Sequence, residues 1–163
     1  MLKGKAALVT GSTSGIGLGI ATALAAQGVR VMLNGVGDAA AMERMRGELE
    51  GRYKVDVRLF SSDLSSADGC VSLVGEVVRA FGALDILVNN AGIQFVSEVD
   101  TFPTEKWDLV LAVNLSSAFH TIRTALPFMK KGGWGRIINI ASAHGLVASV
   151  GKSAYVASKH GLL

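Results

Sequence analysis

Residues 5 to 28 read KAALVTGSTSGIGLGIATALAAQG, and this stretch decides the fold. Lys5 to Thr10 is a short apolar run with no polar alternation, the pattern of a strand covered on both faces. The glycine-rich GSTSGIG follows at 11 to 17, and then LGIATALAAQG, whose apolar periodicity is helical and which Gly28 closes. A strand, a glycine turn and a helix N-terminus in succession make a phosphate site. Glycine lets the backbone approach a pyrophosphate, and the free N–H groups and dipole of the helix attract it. Gly11, Gly15 and Gly17 are spaced G-x-x-x-G-x-G, which differs from the general dinucleotide fingerprint, and a plain tight turn is the alternative.

Working outward, Val29 to Gly35 reads as a second buried strand, at whose end such folds read the adenosine ribose. Asn34 and Gly35 stand there, and no lysine or arginine occurs in residues 31 to 43 or between Gly11 and Gly17, which favours NAD over NADP. Asp38 is a candidate N-cap for a polar-faced helix to Arg52. Val55 to Ser61 alternates like a strand, and SDLSS at 62 to 66 closes it and caps a helix from Ala67 to Phe81. Leu84 to Val88 is a further buried strand, followed by NNAG at 89 to 92, where the chain turns hard close to a ligand. Thr104 to Lys131 carries a long helical pattern with Asn114 among apolar residues. A buried asparagine needs partners, and a bond to the backbone inside its own helix is the plainer reading. Arg136 to Ala141 is the fifth strand, and Ser142 stands at its C-terminal end.

Five buried strands alternating with four helices, without repeat or linker, predict a single α/β domain over residues 1–163, a doubly wound, Rossmann-like parallel sheet. Right-handed crossovers then bring Gly11, Asn34, Asp63, Asn90 and Ser142 to one rim.

The chain has 163 residues, half of them hydrophobic, with 20 glycines and two prolines, enough for one well-buried domain. Its single cysteine, Cys70, forms no intramolecular disulfide and falls on an apolar helix face, as a buried core thiol would. A net charge of +3 and scattered basic residues give no nucleic-acid motif. No uninterrupted apolar segment reaches the ~18 residues of a membrane span, and the start is too short in apolar residues for a signal segment, so a cytoplasmic protein is expected. No metal site is expected.

Tyr155 and Lys159 are four residues apart in SAYVASKHG. In a helix that spacing stacks them on one face, where an ammonium favours phenolate over phenol. Tyr155 is then a candidate general acid/base; a snorkelling lysine beside a half-buried tyrosine is the bland reading.

Taken together, TGSTSGIG, NNAG, the mid-helix Asn114, Ser142 and the Tyr155–Lys159 pair resemble the short-chain dehydrogenase/reductase family over essentially the whole chain. The resemblance implies that Tyr155 is the catalytic acid/base, that Lys159 lowers its pKa and holds the nicotinamide ribose, that Ser142 positions the substrate oxygen, and that Asn114 anchors a relay water. It implies that Gly11, Ser14, Gly15, Ile16 and Gly17 line the pyrophosphate, Asp63 and Leu64 the adenine, and Asn90, Ala91 and Gly92 the nearby cofactor wall. Ile93 with Gln94, FPTEKWD at 102 to 108, and IASAHGLVAS followed by Lys152 are similar to the NAD-linked members of that family that interconvert (R)-3-hydroxybutyrate and acetoacetate. By that likeness Gln94, His144 and Lys152 hold the substrate carboxylate, although His144 as a turn cap and Lys152 as a solvated loop charge remain open. The family pattern continues past HGLL, so the chain reads as a dehydrogenase truncated before its last strands, with the fifth strand RIINIA left as an uncovered apolar edge, inactive as this span alone and tetrameric when full length. A non-catalytic dinucleotide-binding or scaffold protein, or a dehydrogenase of another small alcohol or ketone, are the alternatives.

Overall fold

The computed structural model describes residues 2–163. Five strands, β1 (Ala6–Val9), β2 (Arg30–Leu33), β3 (Val57–Leu59), β4 (Ile86–Asn89) and β5 (Arg136–Asn139), form one sheet in the order β3-β2-β1-β4-β5. Every pairing is parallel. Helices α1 (Gly15–Ala26), α2 (Ala39–Tyr53), α3 (Ala67–Phe81), α4 (Thr104–Leu111), α5 (Ser117–Lys131) and α6 (Ser153–Leu162) complete the fold.

The two-residue period of β1 sorts the core into two layers. Ala6 and Leu8 join α3 and α5 through Leu73, Val77, Ala125 and Met129, while Ala7 and Val9 join α1 through Ala21 and Ala25. The sheet is therefore covered on both faces, as expected for a doubly wound fold. Strand order reverses between β1 and β4, which opens a crevice beyond their C-terminal ends.

Helix boundaries follow local chemistry. The Asp38 carboxylate accepts from Ala41 N–H to start α2, and Ser66 Oγ accepts from Gly69 N–H to start α3. Gly82, at φ 73°, ends α3 in the left-handed region that glycine enters without strain. Lys54 ends α2 in the same conformation at φ 56° despite its side chain.

The fifth strand is the uncovered edge that the truncated reading expects, and the count of five buried strands holds for it only in composition: Arg136, Ile138 and Asn139 are exposed, because β5 pairs only with β4. Two further expectations need correction. The third strand is shorter than its alternating pattern, three residues instead of seven. The long helix is continuous from Thr104 to Lys131, but residues 112–116 wind as a π-helix between α4 and α5. That helix is long and apolar enough to cross a membrane by length and composition, as the core helix of a globular fold also can be. Here Val110, Asn114, Ala118, Thr121, Ala125 and Met129 are buried along its inward face.

Candidate active site

The crevice at the reversal point is built by two loops that lock together. Thr10 closes β1, and its hydroxyl accepts from the N–H groups of Asn90 and Ala91, both at 3.0 Å. In return the Asn90 side-chain amide donates to the carbonyls of Thr10 and Gly11, both at 2.9 Å. Gly17 sits inside this lock: a Cβ there would overlap Gly11 O and Asn90 Nδ2. Gly11 has φ +60°, and a Cβ on it would lie 2.8 Å from Ala91 Cα. Ser14 precedes α1 in extended backbone and makes no side-chain capping bond, so the first turn of the helix keeps its N–H groups for a ligand.

A cleft of about 430 Å³ lies over this lock, within the range of small-molecule sites. Gly11, Ser14, Asn34, Gly35, Asp63, Leu64, Asn90, Ala91 and Gly92 line it. Gly15, Ile16 and Gly17 do not line it; Ile16 points outward with 69% of its surface exposed, and Gly17 packs beneath the wall. Asn34 is less free to read a ribose than its position suggested. Its amide donates to Phe60 O at 3.1 Å and its oxygen accepts from Gly11 N–H at 3.4 Å, joining the ends of three strands. Asp63 is the one charged residue among the described residues that line the cleft. The hydroxyl and N–H of Ser65 hold its carboxyl below the usual carboxylate range, so it serves its own turn and the cleft wall together.

Beyond Gly92, α6 delivers Tyr155 and Lys159. Lys159 is buried at 4% exposure, its Nζ 5.7 Å from the centre of the Tyr155 ring and donating to Ile140 O at 2.8 Å. Burial lowers its pKa from the ordinary lysine value, and among the described residues no carboxylate forms a salt bridge with it. A Cβ on Gly92 would stand 3.7 Å from Lys159 Nζ, so the lysine reaches the cleft wall. The Ser142 hydroxyl accepts from His144 N–H at 3.2 Å, and the His144 ring meets Tyr155 edge to face at 6.1 Å. Among the described residues His144 Nδ1 is buried without a hydrogen-bond partner. Gln94 is exposed on the loop after β4, and Lys152 is half-buried at the start of α6.

Asn114 corrects the plainer sequence reading. Its oxygen accepts from Ile93 N–H at 2.8 Å, and its amide donates to Ile93 O at 2.9 Å and to Ser158 Oγ at 3.1 Å. None of these bonds lies within its own helix. Thr10, Ser12, Thr13 and Ser158 were not foreseen. Ser12 Oγ donates to Val9 O and accepts from Asn34 N–H, and Thr13 packs against Gly35 so closely that a Cβ there would overlap it. Thr10 and Ser12 could have been suspected as small hydroxyls flanking a glycine turn; Ser158 carried no signal. Cys70 is a buried thiol as expected, its pKa pushed up to about 11 by burial and, less strongly, by the charge of Asp63.

The family model described as short chain dehydrogenase matches residues 5–163. D-beta-hydroxybutyrate dehydrogenase of Cupriavidus necator is 56% identical over 100% of this chain and 62% of its own length. The protein of the same name from Rhizobium meliloti is 54% identical over 98% of this chain and 62% of its own. A crystal structure from Sinorhizobium meliloti, described as a short-chain alcohol dehydrogenase, superposes with a TM-score of 0.92 at 32% identity, covering 98% of this chain and 63% of that one. The chain thus spans 62% of the length of the two hydroxybutyrate dehydrogenases it matches.

Proposed function

The chain belongs to the short-chain dehydrogenase family, and from that premise we propose that it is the NAD-binding and catalytic part of an oxidoreductase interconverting (R)-3-hydroxybutyrate and acetoacetate. The observation that carries the reading is the placement of Lys159 Nζ over the Tyr155 ring and against Gly92 of the cleft wall. The 54% and 56% identity to two hydroxybutyrate dehydrogenases supports the substrate.

The cleft suits a dinucleotide. Gly11 and Gly17 leave no room for a Cβ beside Ala91 and Asn90, and α1 offers an uncapped first turn, the cradle a pyrophosphate requires. Asn34, Gly35, Val36, Ser62, Asp63 and Leu64 would face the adenosine half, with no lysine or arginine among the described lining residues. A bound nicotinamide would supply the acceptor for the hydride leaving C3 of the substrate.

The chain's own residues do the rest. Tyr155 Oη takes the proton from the C3 hydroxyl on oxidation and returns it on reduction. Lys159 sets a positive charge on the Tyr155 ring face, in a buried setting where that charge is weakly screened. Ser142 orients the substrate oxygen. Gln94, His144 and Lys152 hold the carboxylate, for which two neutral donors and a cation are suited. Asn114 holds the loop after β4 in place and carries the relay water.

The enzyme is proposed to act as a cytoplasmic homotetramer when full length. Residues 1–163 by themselves are expected not to turn over, because Phe119, Leu126 and Ile138 leave apolar surface exposed on α5 and β5, which favours self-association over an ordered site.

Steady-state assay of the full-length protein with (R)-3-hydroxybutyrate tests both substrate and cofactor. A higher kcat/KM with NAD than with NADP is expected, since a 2′-phosphate would meet no cation among the described residues that line the cleft. Preference for NADP, or for an uncharged alcohol over the hydroxy acid, would refute the reading.

A further inference from the structure

Ser158 lies between Tyr155 and Lys159 on α6 and is fully buried. Its hydroxyl donates to Tyr155 O at 2.7 Å, an ordinary bond for a serine in a helix. The same oxygen also accepts from Asn114 Nδ2, 44 residues earlier in the chain, at 3.1 Å. One oxygen thus joins the helix that carries the acid/base to the π-helical segment.

The connection extends further. Both protons of the Asn114 amide are placed, one on Ser158 Oγ and one on Ile93 O, while Asn114 Oδ1 accepts from Ile93 N–H. Ile93 lines the cleft directly after Gly92. A Cβ on Gly92 would lie 3.4 Å from Asn114 Oδ1 and 3.7 Å from Lys159 Nζ, so the asparagine and the lysine flank the same spot on the wall. Asn114 sits in the π-helix, a rare conformation found mostly at functional sites. Removing Ser158 Oγ would leave one Asn114 proton unpaired in the interior, and the amide would turn to recover a partner at the expense of Ile93.

We propose that Ser158 is a positioning residue for the reaction: through Asn114, its hydroxyl fixes the cleft wall after β4 against the helix that carries Tyr155 and Lys159. The inference rests on the proposed function for its assay substrate only.

The test uses the full-length protein as wild type, Ser158→Ala, Asn114→Ala and the double variant, assayed with (R)-3-hydroxybutyrate and NAD. Wild-type turnover is read first and bears on the proposed function alone. Loss of one buried hydrogen bond predicts a kcat about tenfold lower for Ser158→Ala, with KM for NAD within about twofold of wild type. If Ser158 acts through Asn114, the double variant falls no more than about twofold below Asn114→Ala. An undiminished kcat in Ser158→Ala, or losses that multiply in the double variant, would overturn the proposal. Should Ser158→Ala fail to fold, Ser158→Cys, close in size and a weak acceptor, replaces it in the cycle. Should wild type leave 3-hydroxybutyrate untouched, the crystal structure of Ser158→Ala decides: an Asn114 amide turned away from Ile93 supports the positioning role, and an unmoved one refutes it.

Discussion

Lys159 shows how a single residue reveals a site by its cost. An ammonium at 4% exposure with no carboxylate partner among the described residues is disfavoured by desolvation, and the fold keeps it beside Tyr155 nonetheless. The lowered pKa fixes the sign of a pH effect. The unfolded chain binds the proton more tightly, so Lys159 subtracts stability below its folded pKa and ceases to do so as pH rises from there toward 10.5. The stability of wild type relative to Lys159→Met, by urea unfolding of the full-length protein, should improve as pH rises toward 10.5. Met removes the donor to Ile140 O as well, but that loss does not depend on pH. A difference that stays flat or reverses would contradict the assignment of burial as the dominant cause. The Tyr155–Lys159 pairing was legible because four residues make one helical turn. The partners of Asn114 were not, since a bond spanning 44 residues to Ser158 depends on how α6 packs on the π-helix and leaves no local spacing to read.

Among the elements, the turn after β1 and the turn after β4 behave as one unit. Thr10, Gly11, Gly17, Asn90 and Ala91 interlock so that neither loop can shift alone. Gly17→Ala would force its methyl into Gly11 O and Asn90 Nδ2, backbone and a hydrogen-bonded amide that cannot yield cheaply. Such overpacking typically costs ~1–3 kcal/mol, so a lower urea midpoint together with weakened NAD binding is expected. Unchanged NAD affinity measured by calorimetry would mean that the lock does not shape the cleft. Gly19, where nothing lies within 4 Å of an added Cβ, provides the matched control as Gly19→Ala. The strand, glycine turn and helix were readable from KAALVTGSTSGIG because each has its own local signature. RIINIA has the composition of a covered strand, and its exposure as an edge was legible only from the family resemblance, because coverage depends on which strands lie beside it. The π-helix was hidden, since AVNLS differs from its α-helical flanks in no property that sets the helical period.

For the whole molecule, topology does what no single motif can. The order β3-β2-β1-β4-β5 sets the turns after β1 and β4 side by side at the one place where the winding reverses, and α6 then brings Lys159, with Tyr155 beside it, against Gly92 of the cleft wall. This convergence was foreseeable from alternating strands and helices with right-handed crossovers, whereas its depth was not. Asn34 lines the cleft while its amide group bonds Phe60 O and Gly11 N–H, and Gln94 stands exposed, because side-chain direction follows packing that the sequence pattern does not encode. The central claim is that Tyr155 moves the substrate proton in a site that oxidises 3-hydroxybutyrate. The most direct measurement compares NADH formation from (R)-3-hydroxybutyrate by full-length wild type and Tyr155→Phe, which keeps the ring and removes the transferable proton. The account predicts clear turnover by wild type and a kcat at least ~100-fold lower in the variant, the scale of one general acid/base. Comparable rates from a folded Tyr155→Phe protein would contradict it.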